Sequence, residues 1–432
     1  MNRNLMKLLA IVFAFALIAA ACGDDDDAQP AAEPAAEPAA ATLADNPDEG
    51  FTSDTIKVGW MGDLTGPTAS SQAFNAHGSE AYFECANEDG DVLGRKWEFL
   101  AEDDLYSPEN AAVNFTKLTE DDNILGLVGM GGSAITTQLQ SDVERLNLPV
   151  IGPSQTIDIQ FNGDQFFHNL AHYGDMADIA AGQIAGDVDG LENAVVMGIS
   201  LEVPSGTEYA AYVEDSILKG GGTYVDTLFV SIGATEVTAQ MVALQDAIDN
   251  QGVNYVTLHG SPGTALVVTT GMSDAGITET PIVGIHGIAA NSVWTEGPAD
   301  VTDQMYAAHS FLPSNNATEA SADLARCAAL VGHEGEELVI NFAHGYLNAY
   351  VFHQAVLRAA EGGEVSRNAV TEALKGTFDT MGLSCPIDWT NGQHSPCGAA
   401  FSLDPATGGM VPANPFTFYD EVFDGLYGIE IG

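Results

Sequence analysis

The stretch IKVGWMGDLTGPTASSQAFNAHGSEAYFECANEDGDVLGRKWEFLAEDDLYSPENAA, residues 56–112, decides the fold class. An apolar run ends in a small-residue turn, a helical segment follows, and a second apolar run ends on Asp103-Asp104. The pattern continues downstream through ILGLVGMGG, LPVIGPS, FFHNLA, NAVVMGIS, TYVDTLFVS, VNYVTLHG and TPIVGIHG, with helical segments such as SGTEYAAYVEDSILKGGG and TEVTAQMVALQDAIDNQG between them. Strands that are apolar nearly throughout, alternating with helices, belong to parallel sheets covered on both faces. Ser205 and Thr235 suit helix N-caps, and Gly220 to Gly222 and Gly252 suit helix ends. The expected fold is therefore α/β, with strands enough for two doubly wound parallel-sheet lobes joined by a hinge.

In such sheets a ligand crevice forms beyond the carboxyl ends of the strands. Three of those junctions read MGDLTGPTA (61–69), GMGGSAITT (129–137) and GPSQT (152–156). Small and hydroxyl-bearing residues there let backbone N–H groups approach a ligand, and the helix N-terminus that follows favours an anionic group. The same residues also suit any tight strand-to-helix turn. Trp60 lies within a strand and reads as core. Tyr173, in the turn YGDMAD, reads either as a cleft contact or as a surface loop.

The N-terminus carries Arg3 and Lys7, an uncharged run from Leu8 to Ala21, and small residues up to Cys22. That is the layout of a secretory signal peptide over residues 1–21, too short for a spanning helix of about 20 apolar residues. The small residues ending on Cys22 resemble a bacterial lipobox, which implies lipidation of that cysteine. An ordinary signal peptide with an incidental cysteine is the other reading. Residues 22–54, with Asp24 to Asp27 and alternating Pro and Ala, cannot bury enough apolar surface to order, and are expected to form an acidic disordered tether.

The formal charge is −49, from 12 Lys and Arg against 61 Asp and Glu. Such a chain repels phosphates, which excludes a nucleic-acid partner. The acidity reads either as a plain solvated surface or as adaptation to a saline habitat, where salt screens the self-repulsion. Four cysteines follow Cys22, and an exported chain meets oxidising conditions, so pairing is expected. Cys385 and Cys397 enclose the loop CPIDWTNGQHSPC, which a local disulfide would close; Cys85 and Cys327 then pair by elimination.

The opening stretch, with Leu64-Thr65-Gly66-Pro67, Gly94-Arg95-Lys96 and Asp103-Asp104, is similar to the start of the leucine/isoleucine/valine-binding protein family. These are the type I periplasmic solute-binding proteins of ABC transporters. GLVGMGGSAITT, LNLPVIGPSQT and MSDAGITETPIVGIHG follow in that family's order. The resemblance implies lobe 1 at residues 55–173 and 302–384, lobe 2 at 174–301 and 385–428, and closure of the two over a small solute. It also implies a monomer serving an ABC transporter permease and held to the membrane by its lipid, or, in a second reading, a sensor signalling to a membrane partner.

Carried over by position, the resemblance places ligand carboxylate and amine contacts at Ser133, Ala134, Ser154 and Thr156. The polar loop at Ser70 and Ser71 stands where some members place an aromatic. An acidic residue that pairs with a ligand ammonium is replaced by His286, and Glu202 is the candidate to compensate. Without a carboxylate partner a buried ammonium is costly, so the solute classes in view extend from branched-chain and other amino acids to amides, ureas, small carboxylates and polar aromatics.

An enzyme is not expected. No G-x-S-x-G elbow or GxxxxGK[ST] loop occurs, and His168 and His172 stand four apart with no third ligand in sequence. Asp103-Asp104 can be read as a metal or acid/base pair, but such a pair more often caps a strand and the following helix. No cofactor and no metal are expected.

Overall fold

The computed structural model describes residues 43–156, 159 and 163–418. The signal peptide, Cys22 and residues 23–42 of the tether lie outside them. No helix among the described residues is long and apolar enough to cross a membrane.

The first sheet is built from β1 (Thr55–Gly62), β2 (Lys96–Asp103), β3 (Leu127–Met130), β4 (Val150–Ile151) and β5 (Phe166–Phe167), in the order β2-β1-β3-β4-β5. Every pairing in it is parallel, with Thr55 opposite Lys96 and Gly62 opposite Asp103. Its helices are α1 (Ala69–Asp89), α2 (Pro108–Thr116) and α3 (Ser133–Arg145).

The second sheet takes β6 (Val195–Leu201), β7 (Thr223–Val230), β8 (Tyr255–His259), β9 (Ile282–Gly284) and β10 (Met305–His309), again parallel, in the order β7-β6-β8-β9-β10. The two sheets therefore share one winding. In each, the order reverses between the first strand and its two neighbours, and that switch point opens a crevice. The helices here are α4 (Tyr173–Asp187), α5 (Pro204–Lys219), α6 (Thr238–Gln251) and α7 (Pro262–Ala275).

The chain then adds α8 (Ser321–Leu330), α9 (Ile340–Glu361) and α10 (Arg367–Leu374), and the short hairpin β11 (Thr377–Phe378) with β12 (Ile387–Asp388). Next, β13 (Cys397–Leu403) and β14 (Met410–Pro412) extend the second sheet in antiparallel fashion, and β15 (Thr417–Phe418) pairs with β13.

Two expected lobe boundaries move. β10 pairs with β9, so the return to the first lobe falls after His309 and not at 302. Trp389 donates Nε1 to the His168 carbonyl at 3.1 Å and packs on Phe167, so the last crossover falls beyond Trp389 and not at 385. In both places long-range pairing sets the boundary, which local pattern does not record.

α1 packs along α9. A Cβ on Gly345 would stand 1.8 Å from the Asn75 carbonyl oxygen, so the two backbones meet where only glycine fits. Ile340, Phe342, Leu347, Val351, Phe352 and Val356 on α9 are fully buried, which places a core under the first sheet. Each of those side chains contributes roughly 1.5–3 kcal/mol by leaving water. Cys85 is bonded to Cys327 and Cys385 to Cys397.

The helix starts differ in part from expectation. α5 begins at Pro204 after Val203, and α6 at Thr238 after Val237, with no side-chain cap at either. Proline at the first helical position presets φ and needs no N–H partner, so Ser205 falls inside the first turn. Gly252 ends α6 at φ 76°, as a C-terminal glycine should.

Candidate functional site

The loop after β1 folds around Asp63, which is fully buried. Its carboxylate accepts from the Gly66 N–H and, at 2.6 and 2.7 Å, from the Thr68 N–H and hydroxyl. This fixes the first turns of α1, and Thr68, Ser71, Gln72 and Asn75 face an internal cavity. Trp60, on β1, donates Nε1 to Asn75 Oδ1 at 2.9 Å. A Cβ on Gly129 of β3 would lie 2.1 Å from that indole nitrogen, so glycine makes room for the ring.

After β2, Asp103 and Asp104 accept from N–H groups of the adjoining turns, while Ser107 caps the helix that follows. Asp103 Oδ1 accepts from the Leu64 and Leu105 N–H groups, both at 3.0 Å, and Asp104 Oδ1 accepts from the Tyr106 N–H at 2.7 Å. Leu105 and Tyr106 are both left-handed, at φ 55° and 58°. Two such residues in succession are strained for side chains of this size, and they turn the Tyr106 ring into the cavity.

The junctions after β3 and β4 bring Ser133, Ser154 and Gln155 to the same space. α3 has Gly132 at its N-cap and no side-chain cap, so its first-turn N–H groups are available to an anionic oxygen. From the second lobe come Val203, Ser205, Ile232, Thr235, His259, Ser261, Val267, Ile285 and His286; Tyr173, Asn341 and His344 complete the wall.

The cavity volume is about 470 Å³, within the roughly 300–1,000 Å³ of small-molecule pockets. Among the described residues, no Asp, Glu, Lys or Arg lines it. Burial pushes the imidazoles of His259 and His344 down to about 3, with His286 a smaller contribution to each, and burial takes His286 to about 4. All three are neutral near pH 7. Burial likewise raises the Tyr173 hydroxyl, which lies beside Ser133 and Ser205, so it stays a neutral donor.

Several of these polar groups lack a protein partner. Ser154 Oγ, both ring nitrogens of His259 and Asn341 Nδ2 make no hydrogen bond, and each of these residues is only 4% exposed. A buried polar atom left unpaired costs about 1–3 kcal/mol, which a ligand contact recovers.

Of the residues expected from sequence, Ser71, Ser133, Ser154, Tyr173 and His286 line the cavity. Ala134 and Glu202 are exposed and do not, so Glu202 supplies no charge to the wall. Thr156 also stands outside it, because its hydroxyl donates to Glu208 Oε2 at 2.7 Å. Trp60, expected as core, is 2% exposed and yet forms part of the wall. Asn341 and His344 escaped sequence reading, although Asn341, His344 and Asn348 mark one polar stripe at helical spacing among the buried residues of that helix. Ser205 and Thr235 face the cavity instead of capping helices.

Two lobes of doubly wound sheet around a lined cavity define a solute-binding architecture. The chain belongs to the periplasmic binding protein family, whose model matches residues 55–408. A comparison with curated proteins finds no match. Among solved structures, a fatty acid ABC transporter substrate-binding protein from Thermomonospora curvata aligns with a TM-score of 0.78 at 20% identity, over 90% of this chain and 97% of that one. A branched chain amino acid ABC transporter protein from Thermus thermophilus with bound valine aligns at 0.76 and 20% identity, over 86% and 100%. A solute binding protein from R. palustris in complex with 4-hydroxybenzoate aligns at 0.71 and 14% identity, over 84% and 97%. At these identities the likeness establishes the fold.

Proposed function

We propose that the protein captures, in this cavity, a small solute with a carboxylate or amide head and a less polar body but no ammonium group, and hands it to an ABC importer permease. What carries the reading is that no carboxylate lines the cavity among the described residues, beside neutral histidines and unpaired neutral donors. An ammonium ion moved into such a wall loses its hydration with no carboxylate among the described lining residues to pair with, at several kcal/mol. A carboxylate meets the first-turn N–H groups of α3 and the Ser133 and Ser154 hydroxyls, and Trp60, Tyr106, Ile232, Val267 and Ile285 supply apolar surface for its body.

Cys22 serves as the lipid attachment point and the acidic segment after it as the tether that keeps the receptor near the permease. Closure of the lobes on the solute is the signal the permease reads.

Thermal unfolding across a panel of monocarboxylates, amides, ureas and amino acids tests the reading. A bound solute at a hundred times its Kd stabilises the fold by about 2.7 kcal/mol, and recovery of the solute unchanged separates binding from catalysis. If no carboxylate or amide in the panel raises the melting temperature, the reading fails.

A further inference from the structure

We infer that His77, His333 and Glu336 form a binding site for one divalent transition-metal ion, Zn²⁺ by the character of the ligands, on the first lobe and outside the cavity wall. Sequence spacing pairs His333 with Glu336 in the loop VGHEGEEL after α8, and the fold brings α1 alongside with His77. The three potential ligand atoms lie within 4.8 Å of one another. Glu336 reaches both rings with one carboxylate: Oε2 is 2.7 Å from His77 Nδ1 and Oε1 is 3.1 Å from His333 Nδ1. Two imidazole nitrogens and one carboxylate oxygen make a Zn²⁺ ligand set of the three-residue kind, with a fourth position for water.

The surroundings fit that use. On the far side of the His333 ring, Nε2 faces Glu80 Oε2 at 3.8 Å, from the helical turn that follows His77. A histidine ligating through Nδ1 carries its proton on Nε2, and a carboxylate there orients the ring and raises its basicity. The frame is also fixed without an ion. The Cys85–Cys327 disulfide ties α1 to α8, Arg326 Nη2 pairs with Asp89 at 2.8 Å, and the His333 N–H donates to the Ala328 carbonyl at 2.8 Å. The side chains are 23–29% exposed, so an ion can enter and a water can complete the sphere.

The His77 and His333 rings stack at 3.8 Å with planes 16° apart. Lone pairs in parallel planes do not converge, so loading must splay the rings and open the contacts that Glu336 now makes with both Nδ1 atoms. The site would then staple α1, which carries Asn75 into the cavity wall, to the segment leading into α9, which carries Asn341 and His344.

The test uses the full chain stripped with a chelator, titrated with Zn²⁺ by calorimetry and with Co²⁺ by visible absorption. The expected result is one saturable site giving the d–d bands of a low-symmetry nitrogen–oxygen sphere. His77→Gln, His333→Gln and Glu336→Gln each abolish it, and Glu80→Gln weakens it by about tenfold. Each glutamine keeps a polar group in place, and a metal-free melting temperature matching the parent certifies the fold; a variant that fails this is replaced in the comparison by the other two. No saturable site, or one whose affinity all the ligand variants retain, overturns the proposal, the latter placing the ion on the acidic surface.

Discussion

Thr156 Oγ1 donates to Glu208 Oε2 at 2.7 Å, joining the segment after β4 in the first lobe to α5 in the second. The bond spans the cleft without entering the cavity, so it favours the closed arrangement without touching the solute. Thr156→Val removes the donor while keeping the shape. Losing a hydrogen bond of this kind shifts the open–closed balance by about 1 kcal/mol, close to fivefold. Solute affinity should fall by that factor in calorimetry, and small-angle scattering of the solute-free protein should report a larger radius of gyration. An unchanged affinity would remove closure from the role given to this bond.

Tyr106 and Leu105 divide one strained turn between function and stability. Tyr106 faces the cavity, whereas Leu105 is 49% exposed. Tyr106→Ala should weaken solute binding by about tenfold or more, from lost aromatic contact. Leu105→Gly relieves a left-handed backbone and should raise the melting temperature slightly, the gain reduced by greater freedom of the unfolded chain. Affinity in Leu105→Gly should match the parent.

The buried histidines set one pH response. Their folded pKa values lie below the roughly 6.5 of an unfolded chain, so protons bind the unfolded state preferentially as pH falls. Stability is full above about pH 6.5 and declines steadily below it, toward about 3–4. Between pH 5 and 8 the cavity stays neutral, so affinity for a non-titrating amide should be flat across that range. A step near pH 6.5 would show that a cavity histidine titrates normally.

Asp104 works in the opposite sense. Burial raises its carboxyl to about 6, the Tyr106 N–H opposes this, and the charges of Asp63 and Asp103 add to it. The folded state therefore holds the proton more tightly than the unfolded chain, at about 3.9, and stability is lost as pH rises from about 4 to about 6. Asp104→Asn keeps an acceptor for the Tyr106 N–H and removes that loss. It should be more stable than the parent at pH 7, by about 2 kcal/mol, and nearly equal to it at pH 4. Equal stability at both pH values would refute the assignment.

The parts of the site legible in sequence are those that local structure determines. Ser133 and Ser154 follow buried parallel strands, and any residue at the carboxyl end of such a strand faces the crevice. Thr156 lies two residues farther on and turns to Glu208, a partner 52 residues away. Trp60 has the burial of a core residue and became wall only because Gly129 and Asn75 hold its ring at the cavity edge. Asn341 and His344 arrive on α9, far along the chain, and their polar stripe could have been read but not its destination. The same limit explains β10, whose pairing with β9 no local pattern announces.

A cavity of this lining should receive a solute without an ammonium group. Matched pairs isolate that one feature: leucine against 4-methylpentanoate, and phenylalanine against 3-phenylpropanoate, titrated at pH 7 by calorimetry with tryptophan fluorescence as a second readout. Each acid lacking the amine should bind at least about tenfold more tightly than its amino acid, the ammonium finding no carboxylate among the described residues of the wall. Amino acids binding as tightly as their amine-free partners, or more tightly, would contradict it.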